Sequence, residues 1–345
     1  MSASSDAPRP LSRKERVLRA LRREPVDRLP VQTNFTPPMG QRLATHFGVS
    51  LAHLPARLDN HLLRLDVRHP RQLSPDGRVV YDWWGAGWGT ETEGYWHAFA
   101  PLAQTQDLAA FAWPDPHDPR LLEDAERVLA ADAGEHFVVP NFGFALFERA
   151  WSLRGFDQFL MDLVTEPAWA EALLERITEI QLVLAHRFLA LGVDGGYFGD
   201  DYGAQKGLLF SPVLWRRLIR PRLARLFAVF RDADRPVLLH SDGDLWPILP
   251  DLVDLGLTTL NPVQPEVLDH ARLQREFGRH LSFYGGVSTQ EVLPRGTPAE
   301  VRNAVRTCLD RLAPDGTGLL LGPSHRMQSD IPVANVEAML DAFPR

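Results

Sequence analysis

The sequence alternates short apolar runs with helical stretches along almost its entire length. Strands that alternate with helices favour parallel pairing within one sheet. Eight such units in a chain of 345 residues predict an α/β fold, a closed (β/α)8 barrel of the TIM type. The predicted strands are residues 31–35, 62–67, 137–142, 193–198, 235–240, 256–261, 281–287 and 318–322.

Polar side chains follow the predicted strands at the point where each run ends. In a TIM barrel, the loops after the strands carry the functional groups. The clearest example is the apolar run 236–239, which ends in His240-Ser241-Asp242-Gly243. Because residues i and i+2 of a strand share a face, His240 and Asp242 are expected to point to the same mouth of the barrel. The polar residues at or just after the predicted strand ends are Asn34, Asp66, Glu148, Asp200, His240, Gln264, Gln290 and His325.

Composition and charge exclude several classes of protein. The formal net charge is −7, whereas a nucleic-acid-binding protein needs cations that neutralise phosphates. No run of about 18 apolar residues predicts a membrane helix, and residues 1–17 lack the apolar core of a signal peptide. The single cysteine, Cys308, excludes an internal disulfide and a cysteine-rich zinc site. We therefore expect a cytoplasmic enzyme for a small-molecule substrate, with no nucleic-acid or membrane partner.

One domain is expected to account for most of the chain. Residues 1–10 are small, polar and proline-rich and predict a disordered tail, followed by a single barrel domain over residues 11–345. Within that domain, residues 74–100 hold two aromatic, β-prone runs around glycines and four of the nine tryptophans. This pattern predicts an aromatic-rich β-hairpin insertion, which either covers a ligand or packs on the barrel rim.

Several segments make the chain resemble the uroporphyrinogen decarboxylase superfamily, from about residue 12 to the end. The resemblance implies a TIM barrel that carries its active site at the carboxyl ends of the strands. The segments that carry the resemblance are residues 16–21 with 27–30, 199–205 with 211–212, 240–243, 260–264, 285–290 and 296–301.

The resemblance covers two activities on one barrel. One is cofactor-free decarboxylation of the acetate arms of uroporphyrinogen III, and the other is zinc-dependent methyl transfer between a methylated corrinoid protein and a thiol. The decarboxylases carry an Arg-x-x-Gly-Arg motif, since a polycarboxylate substrate needs such fixed cations. In the matching stretch, residues 33–42, Arg42 is the only basic residue, and Asp200 and Asp201 would repel a polyanion. The resemblance therefore favours methyl transfer or demethylation over decarboxylation.

A metal site also follows from the resemblance. The thiol methyltransferases of the superfamily bind zinc through a His-x-Cys segment and a Cys after the last strand. Here His240 keeps the first position, Asp242 stands at the second, and Ser324-His325 lie near the third. His240, Asp242 and His325 form a set that is typical of zinc or ferrous iron, with Glu148 as a candidate fourth ligand. A carboxylate in place of a thiolate predicts a harder divalent-metal site, with zinc as the first choice, that activates an oxygen rather than a thiol.

The remaining polar residues are expected to supply acid–base and substrate-binding groups. A corrinoid methyl donor, a corrinoid-protein partner and a homodimer stay open, because the resemblance allows each of them. The predicted catalytic residues are Glu148, Asp200, Asp201 and Tyr202, and the predicted substrate-binding residues are Asn34, Asp66, Arg149, Gln205, Gln264 and Gln290.

Two other functions stay open at this point. One is decarboxylation of a polycarboxylate, with Asp66 or Asp200 facing the pyrrole nitrogens. The other is a barrel that binds a ligand or a corrinoid protein without catalysis. Each metal candidate also has a structural alternative: His240 as a hydrogen-bonded bridge between strand ends, Asp242 as a turn cap, and His325 as a rim histidine.

Overall fold

The computed structural model describes residues 10–70, 72–91, 93–94 and 96–345. Tyr95 of the predicted hairpin and residues 1–9 of the predicted disordered tail lie outside these ranges. The strands of the described chain are β1 (Leu62–Leu65), β2 (Gln72–Leu73), β3 (Val79–Tyr81), β4 (Gly87–Gly89), β5 (His97–Phe99), β6 (Phe137–Phe142), β7 (Gly196–Gly199), β8 (Gly203–Ala204), β9 (Gly207–Leu208), β10 (Val237–His240), β11 (Thr259–Asn261), β12 (Ser282–Val287) and β13 (Leu319–Pro323).

Along the chain, helices lie between most of the successive parallel strands. No helix in the described ranges is both long and apolar enough to span a membrane. The α-helices are α1 (Arg13–Leu21), α2 (Pro37–Phe47), α3 (Leu54–Arg57), α4 (Glu123–Asp132), α5 (Phe147–Arg154), α6 (Phe156–Thr165), α7 (Pro167–Ala190), α8 (Pro212–Leu218), α9 (Arg220–Arg231), α10 (Leu249–Asp254), α11 (His270–Phe277), α12 (Val292–Arg295), α13 (Pro298–Leu312) and α14 (Val333–Ala342).

A parallel sheet of seven strands forms the centre of the described fold, in the order β1-β6-β7-β10-β11-β12-β13. Val31 makes a parallel bridge with Leu321 of β13, and its carbonyl accepts a hydrogen bond of 3.1 Å from His61 N, just before β1. The segment around Val31 therefore lies between the two outer strands of the sheet. This arrangement is consistent with the predicted (β/α)8 barrel.

The predicted first strand, residues 31–35, forms isolated bridges rather than a continuous strand. Side chains replace part of the backbone ladder on its β1 side. Gln32 Oε1 accepts from His61 N at 3.2 Å and from Leu62 N at 2.9 Å. Asn60 Oδ1 accepts from Thr33 N at 2.8 Å. These hydrogen bonds come from side chains, so the pattern of apolar and polar residues in segment 31–35 could not predict them.

Two layers of apolar side chains hold the sheet in place. One cluster joins the outward-facing strand residues to the helices. A smaller one takes alternate residues from neighbouring strands, as the two-residue period of a strand requires, together with α1. It therefore fills the inside of the sheet below the polar strand ends. Its buried members are Val17, Leu21, Leu62, Phe137, Val139, Tyr197, Leu238, Tyr284 and Leu320.

The aromatic-rich insertion has four antiparallel strands in the described residues, β2 to β5, where two were predicted. Asp82 makes the central turn, because its Oδ1 accepts from Trp84 N and Ala86 N at 3.0 Å each. Trp88 packs edge-on against Trp151 of α5, with ring centroids 6.2 Å apart. Arg149 Nη1 also donates to Asp82 Oδ2 at 2.6 Å. These contacts attach the small sheet to α5 at the barrel rim.

Candidate metal centre

His240, Asp242 and His325 come together beyond the carboxyl end of β10. One ligand atom from each lies within 4.8 Å of the others, and in the described residues this is the only group of His, Cys, Asp or Glu side chains with that geometry. His240 Nε2 is 3.9 Å from Asp242 Oδ1, and His325 Nε2 is 3.8 Å from Asp242 Oδ2. Glu148, the candidate fourth ligand, is not a member of this group.

The separations within this group suit a divalent ion. Ligand distances of about 2.1 Å in a tetrahedral zinc site set neighbouring ligand atoms roughly 3.4 Å apart. The two contacts run to different oxygens of Asp242 and exceed that value by about half an ångström, and one atom from each residue lies within 4.8 Å of the others, so these partly exposed side chains would rotate to close on an ion. Two imidazoles and a carboxylate also match the ligand preference of zinc and ferrous iron. The three residues therefore fit a metal ion in both chemistry and spacing.

Asn261 of β11 fixes the tautomer of His240. Asn261 Nδ2 donates to the Tyr284 carbonyl oxygen at 3.1 Å, so its Oδ1 must face His240 as an acceptor. His240 Nδ1 lies 2.7 Å from that oxygen and therefore carries the proton, while the Tyr197 hydroxyl donates to the same oxygen at 2.7 Å. The lone pair of His240 Nε2 is left to point at the carboxylates. This outer support is typical of metal-binding histidines.

His325 is also held in the form that binds metals. Burial lowers the pKa of its imidazole to about 4, although the nearby Asp242 carboxylate acts in the opposite direction. His325 is therefore neutral at pH 7, and a neutral imidazole is the ligating form.

Two glycines place Asp242 beside the loop that follows β7. Gly243 has a φ of +85°, and a Cβ there would collide with the backbone of Gly203. A Cβ on Gly203 would in turn lie 2.6 Å from the Asp242 carbonyl oxygen. The two loops can thus pack backbone to backbone, and Asp242 N donates to Asp201 Oδ1 at 2.8 Å. The glycines therefore bring the second carboxylate, Asp201, next to the metal-ligand candidates.

Glu148 and Asp201 supply acidic groups on the wall of a cavity that His240 and His325 also line. Asp201 Oδ1 is 4.0 Å from His240 Nε2, and burial raises the pKa of its carboxyl, against the effect of His240. The pKa of Glu148 is raised well above its usual range by burial and then by the charges of Asp201 and Asp200. Glu148 therefore holds a proton under conditions in which an exposed glutamate has lost it, which suits a general acid.

Two of the predicted catalytic residues lie behind the cavity wall, and their prediction needs correction. Asp200 is fully buried and caps the start of α5: it accepts from Leu146 N, Phe147 N and Glu148 N at 3.2, 2.8 and 2.7 Å. Burial raises its pKa to about 6. Tyr202 is fully buried against Trp215, with ring centroids 5.7 Å apart. Asp200 thus positions the helix that carries Glu148, and Tyr202 belongs to the core.

Two cavities meet at the candidate metal centre. The first, of about 410 Å³, contains the predicted residues Asn34 and Asp66 as well as Glu148 and Asp201. Asn34 Nδ2 donates to Tyr284 Oη at 2.6 Å, and Asp66 Oδ1 accepts from Asn141 Nδ2 at 2.7 Å. The second, of about 520 Å³, contains Asp242, Gln264 and Gln290. Both cavities are lined by Ser324, His325 and Arg326.

The two other predicted substrate-binding residues lie elsewhere. Arg149 is buried in the ion pair with Asp82, below the aromatic sheet, and its guanidinium lies over the ring of Trp84 at 5.1 Å. Gln205 is exposed in the turn between β8 and β9 and lines neither of the two cavities. Arg149 lines a neighbouring cavity that shares Asp66 and Asn141 with the first one.

Sequence reasoning missed Asn261 and Arg64 at the first cavity. Asn261 ends β11, and its backbone is in register with His240. The register of β10 and β11 would have predicted that these two side chains are neighbours. Arg64 interrupts the apolar strand β1, two residues after the inward-facing Leu62, and lies over the Tyr197 ring at 5.4 Å. A charged residue at an inward position of a buried strand was the available signal.

Comparison with known proteins gives a family match and several relatives. The family model described as uroporphyrinogen decarboxylase (URO-D) matches residues 93–345. A methylated-thiol–coenzyme M methyltransferase of Methanosarcina mazei is 22% identical over 165 residues, which cover 48% of this chain and 43% of that protein. The chain thus matches less than half of that relative's length.

Solved structures agree with the fold. A methyltransferase from Methanosarcina mazei superposes with a TM-score of 0.71 at 22% identity, over 96% of this chain and 98% of that one. A B12-independent methionine synthase from Shewanella sp. W3-18-1 gives a TM-score of 0.50 at 12% identity, over 91% and 94% of the two chains. At these identities, the likeness establishes the fold alone.

Proposed function

Because this chain belongs to the uroporphyrinogen decarboxylase (URO-D) family, we propose that it is a metal-dependent methyltransferase or demethylase that acts on a small or medium ligand. The observation that carries the proposal is the orientation of His240. Asn261 holds the Nδ1 proton, so that Nε2 faces Asp242 and the neighbouring His325. A histidine with only a structural role does not need a lone pair directed at a carboxylate and a second imidazole.

His240, Asp242 and His325 would hold the metal ion. Zinc is the first choice, because it accepts two imidazoles and a carboxylate and leaves a position open for substrate. A divalent ion supplies Lewis acidity, which lowers the pKa of a hydroxyl or thiol group that contacts it. The mixed nitrogen and oxygen ligand set is harder than a thiolate site and favours substrates that react at oxygen.

The first cavity would hold the methyl-bearing ligand and exclude bulk water. Glu148, whose pKa is raised by burial and by the nearby carboxylates, would donate its proton to the leaving or developing anionic group. Asp201 lies beside His240 and would stabilise positive charge that develops near the metal centre. Asn34 and Asp66 would orient the ligand through hydrogen bonds from the opposite wall.

The charges of the cavity support methyl transfer over decarboxylation of a polycarboxylate. Its carboxyl groups are Asp66, Glu148 and Asp201, and its arginines are Arg64 and Arg326. With Glu148 protonated, the two remaining carboxylates balance the two arginines, so the cavity lacks the excess of cations that a polycarboxylate substrate needs. Arg42, the one basic residue in the stretch that corresponds to the decarboxylase motif, donates instead to the Ser329 carbonyl oxygen outside the first cavity.

The methyl donor or acceptor would be a corrinoid on a separate protein. The similarity to a methyltransferase that acts on methylated thiols supports this choice. When methylcobalamin is the donor, its methyl group would leave as the equivalent of a methyl cation. The cobalt keeps the electron pair as cob(I)alamin, and the acceptor loses a proton as its new bond to carbon forms.

Methyl transfer can be tested with metal-free protein and protein reloaded with zinc. Each is mixed with methylcobalamin and a series of thiol and alcohol acceptors under anaerobic conditions, and cob(I)alamin formation is followed by absorbance. We expect turnover only with zinc, and loss of turnover in His240→Ala. Carbon dioxide release from uroporphyrinogen by the metal-free protein, with no methyl transfer to any acceptor, would overturn the proposal in favour of decarboxylation.

A further inference from the structure

The second cavity at the candidate metal centre is lined entirely by polar side chains, both neutral and charged. It has a volume of about 520 Å³ and shares His325 with the first cavity. Hydroxyl and amide side chains contribute most of the uncharged lining: Gln264, Thr289, Gln290, Ser324 and Gln328. Such a lining is suited to a polar group rather than to an apolar one.

Gln264 is buried, and its side chain has no hydrogen-bond partner. It is 3% exposed, and neither Oε1 nor Nε2 makes a hydrogen bond. A buried amide without partners is destabilising. Asn335, which is buried to a similar degree, shows the usual solution, since its Nδ2 donates to the carbonyl oxygens of Leu293 and Gly296 at 2.8 Å each. The unsatisfied amide of Gln264 therefore indicates a ligand that completes it.

The chemistry of the ligand follows from the two unpaired atoms. Nε2 needs an acceptor and Oε1 needs a donor. A carboxylate offers acceptors only and would leave Oε1 unpaired. An ammonium offers donors only and would leave Nε2 unpaired. A carboxamide presents one acceptor and one donor at the same spacing as the amide of Gln264 itself.

We propose that the second cavity binds a carboxamide group, with Gln264 Nε2 donating to its oxygen and Gln264 Oε1 accepting from its nitrogen. Two sources present this chemistry. One is a free small amide. The other is the set of carboxamide arms around a corrin ring, a source that rests on the proposed function because it requires the corrinoid to reach the barrel mouth. Gln290 and Gln328 at the wall are further partners for either source.

The first experiment measures binding of propionamide and propionate by NMR titration of the full-length protein. Gln264→Leu removes two unpaired polar atoms at similar volume, so the variant is expected to fold at least as stably as the wild type. Gln41→Leu, an exposed glutamine on α2, is the matched control. We expect propionamide to bind wild type and Gln41→Leu alike and to lose at least tenfold in affinity with Gln264→Leu. Equal binding by all three proteins, or propionate binding as tightly as propionamide, would overturn the proposal.

The second experiment identifies the source of the amide. Methylcobalamin is compared with its monocarboxylate derivatives, in each of which one peripheral amide is hydrolysed. If the corrin is the source, one derivative and the Gln264→Leu variant each lower affinity about tenfold, and the two effects do not add. If methylcobalamin affinity is unchanged while propionamide affinity falls, a free amide is the source. Because binding is measured without turnover, absence of methyl transfer would refute the proposed function and leave this assignment standing.

Discussion

Asn261 Oδ1 lies 2.7 Å from His240 Nδ1, between the ends of two neighbouring parallel strands. The contact gives a strand-end histidine a defined tautomer, with Nε2 directed at the carboxylates. It depends on a second bond, from Asn261 Nδ2 to the Tyr284 carbonyl oxygen, which prevents the amide from turning over. The candidate metal centre is therefore supported by residues that do not contact the metal position themselves.

Replacing Asn261 by leucine tests this support. Without the acceptor, the His240 ring can rotate or protonate at Nε2, so zinc affinity is expected to fall by about 10–100-fold. Isothermal titration with zinc measures the change. Asn335→Leu is the control, because it removes an equally buried amide remote from the centre and is expected to lower stability and leave zinc affinity intact. Equal zinc affinity in Asn261→Leu and wild type would show that the hydrogen bond does not orient a ligand.

The close approach of Gly243 and Gly203 gives a second prediction. Gly243→Ala adds a collision with the Gly203 backbone to the strain of a positive φ, and is expected to cost roughly 1–3 kcal/mol beyond that strain. It also displaces Asp242 and weakens zinc binding. Gly48→Ala has the strain alone, since φ is +66° and no atom lies within 4 Å of the new Cβ. Urea denaturation and zinc titration of both variants measure the difference; equal losses would contradict the packing argument.

The raised pKa of Glu148 predicts the pH dependence of turnover. A general acid acts in its protonated form, so activity should persist above the pH at which an exposed glutamate ionises and fall as pH rises through the elevated pKa. The side chain of Glu148→Gln is uncharged, like a protonated carboxyl group, but cannot donate the proton. The variant is expected to lower the rate about 10²–10⁴-fold with unchanged zinc affinity near pH 7. Glu123→Gln, on α4, is the exposed control. A full rate in Glu148→Gln would remove Glu148 from catalysis.

His61, at the opposite end of the barrel, predicts a loss of stability in acid. Its Nδ1 lies 2.7 Å from the Asp59 carbonyl oxygen and its Nε2 lies 2.9 Å from Arg16 Nη1, so the ring is neutral. Burial lowers its pKa to about 4. In the unfolded chain the His61 imidazole binds a proton below about pH 6.5, whereas in the folded chain it stays neutral down to about pH 4. The free energy of unfolding therefore falls as pH drops from 6.5 to 4, by up to about 3 kcal/mol.

Comparison of wild type with His61→Asn isolates this contribution. Urea denaturation at pH 7, 5.5 and 4.5 is expected to show a steeper loss for wild type than for the variant. Parallel pH profiles would contradict the assignment of a neutral His61.

Periodicity and turn residues were sufficient to locate most of the sheet and the mouth of the barrel. Capping boxes at Ser12 and Thr297 begin α1 and α13, and a box of this kind can be read from the sequence because it depends on residues three positions apart. His240 and Asp242 approach each other as their two-residue spacing suggested, although Asp242 lies beyond the end of β10 and is placed by the glycines of its loop. Local rules of this kind reach only a few residues along the chain.

Contacts between distant segments were beyond these rules. Asp200 and Asp201 are adjacent, and only the fold decides that Asp200 caps α5 and Asp201 faces the cavity. The pairing of Arg149 with Asp82 joins residues on two separate elements. The bond from His240 to Asn261 requires the register of β10 and β11, which the sequence pattern does not contain.

We propose that His240, Asp242 and His325 bind one divalent metal ion. X-ray absorption spectroscopy at the zinc edge, on protein reloaded with one equivalent of zinc, tests it most directly. We expect a first shell of nitrogen and oxygen atoms at about 2.0–2.2 Å, with two imidazoles and no sulfur, that is lost in the His240→Ala, His325→Ala double variant. Failure to retain zinc, or a shell that is the same in the double variant, would contradict it.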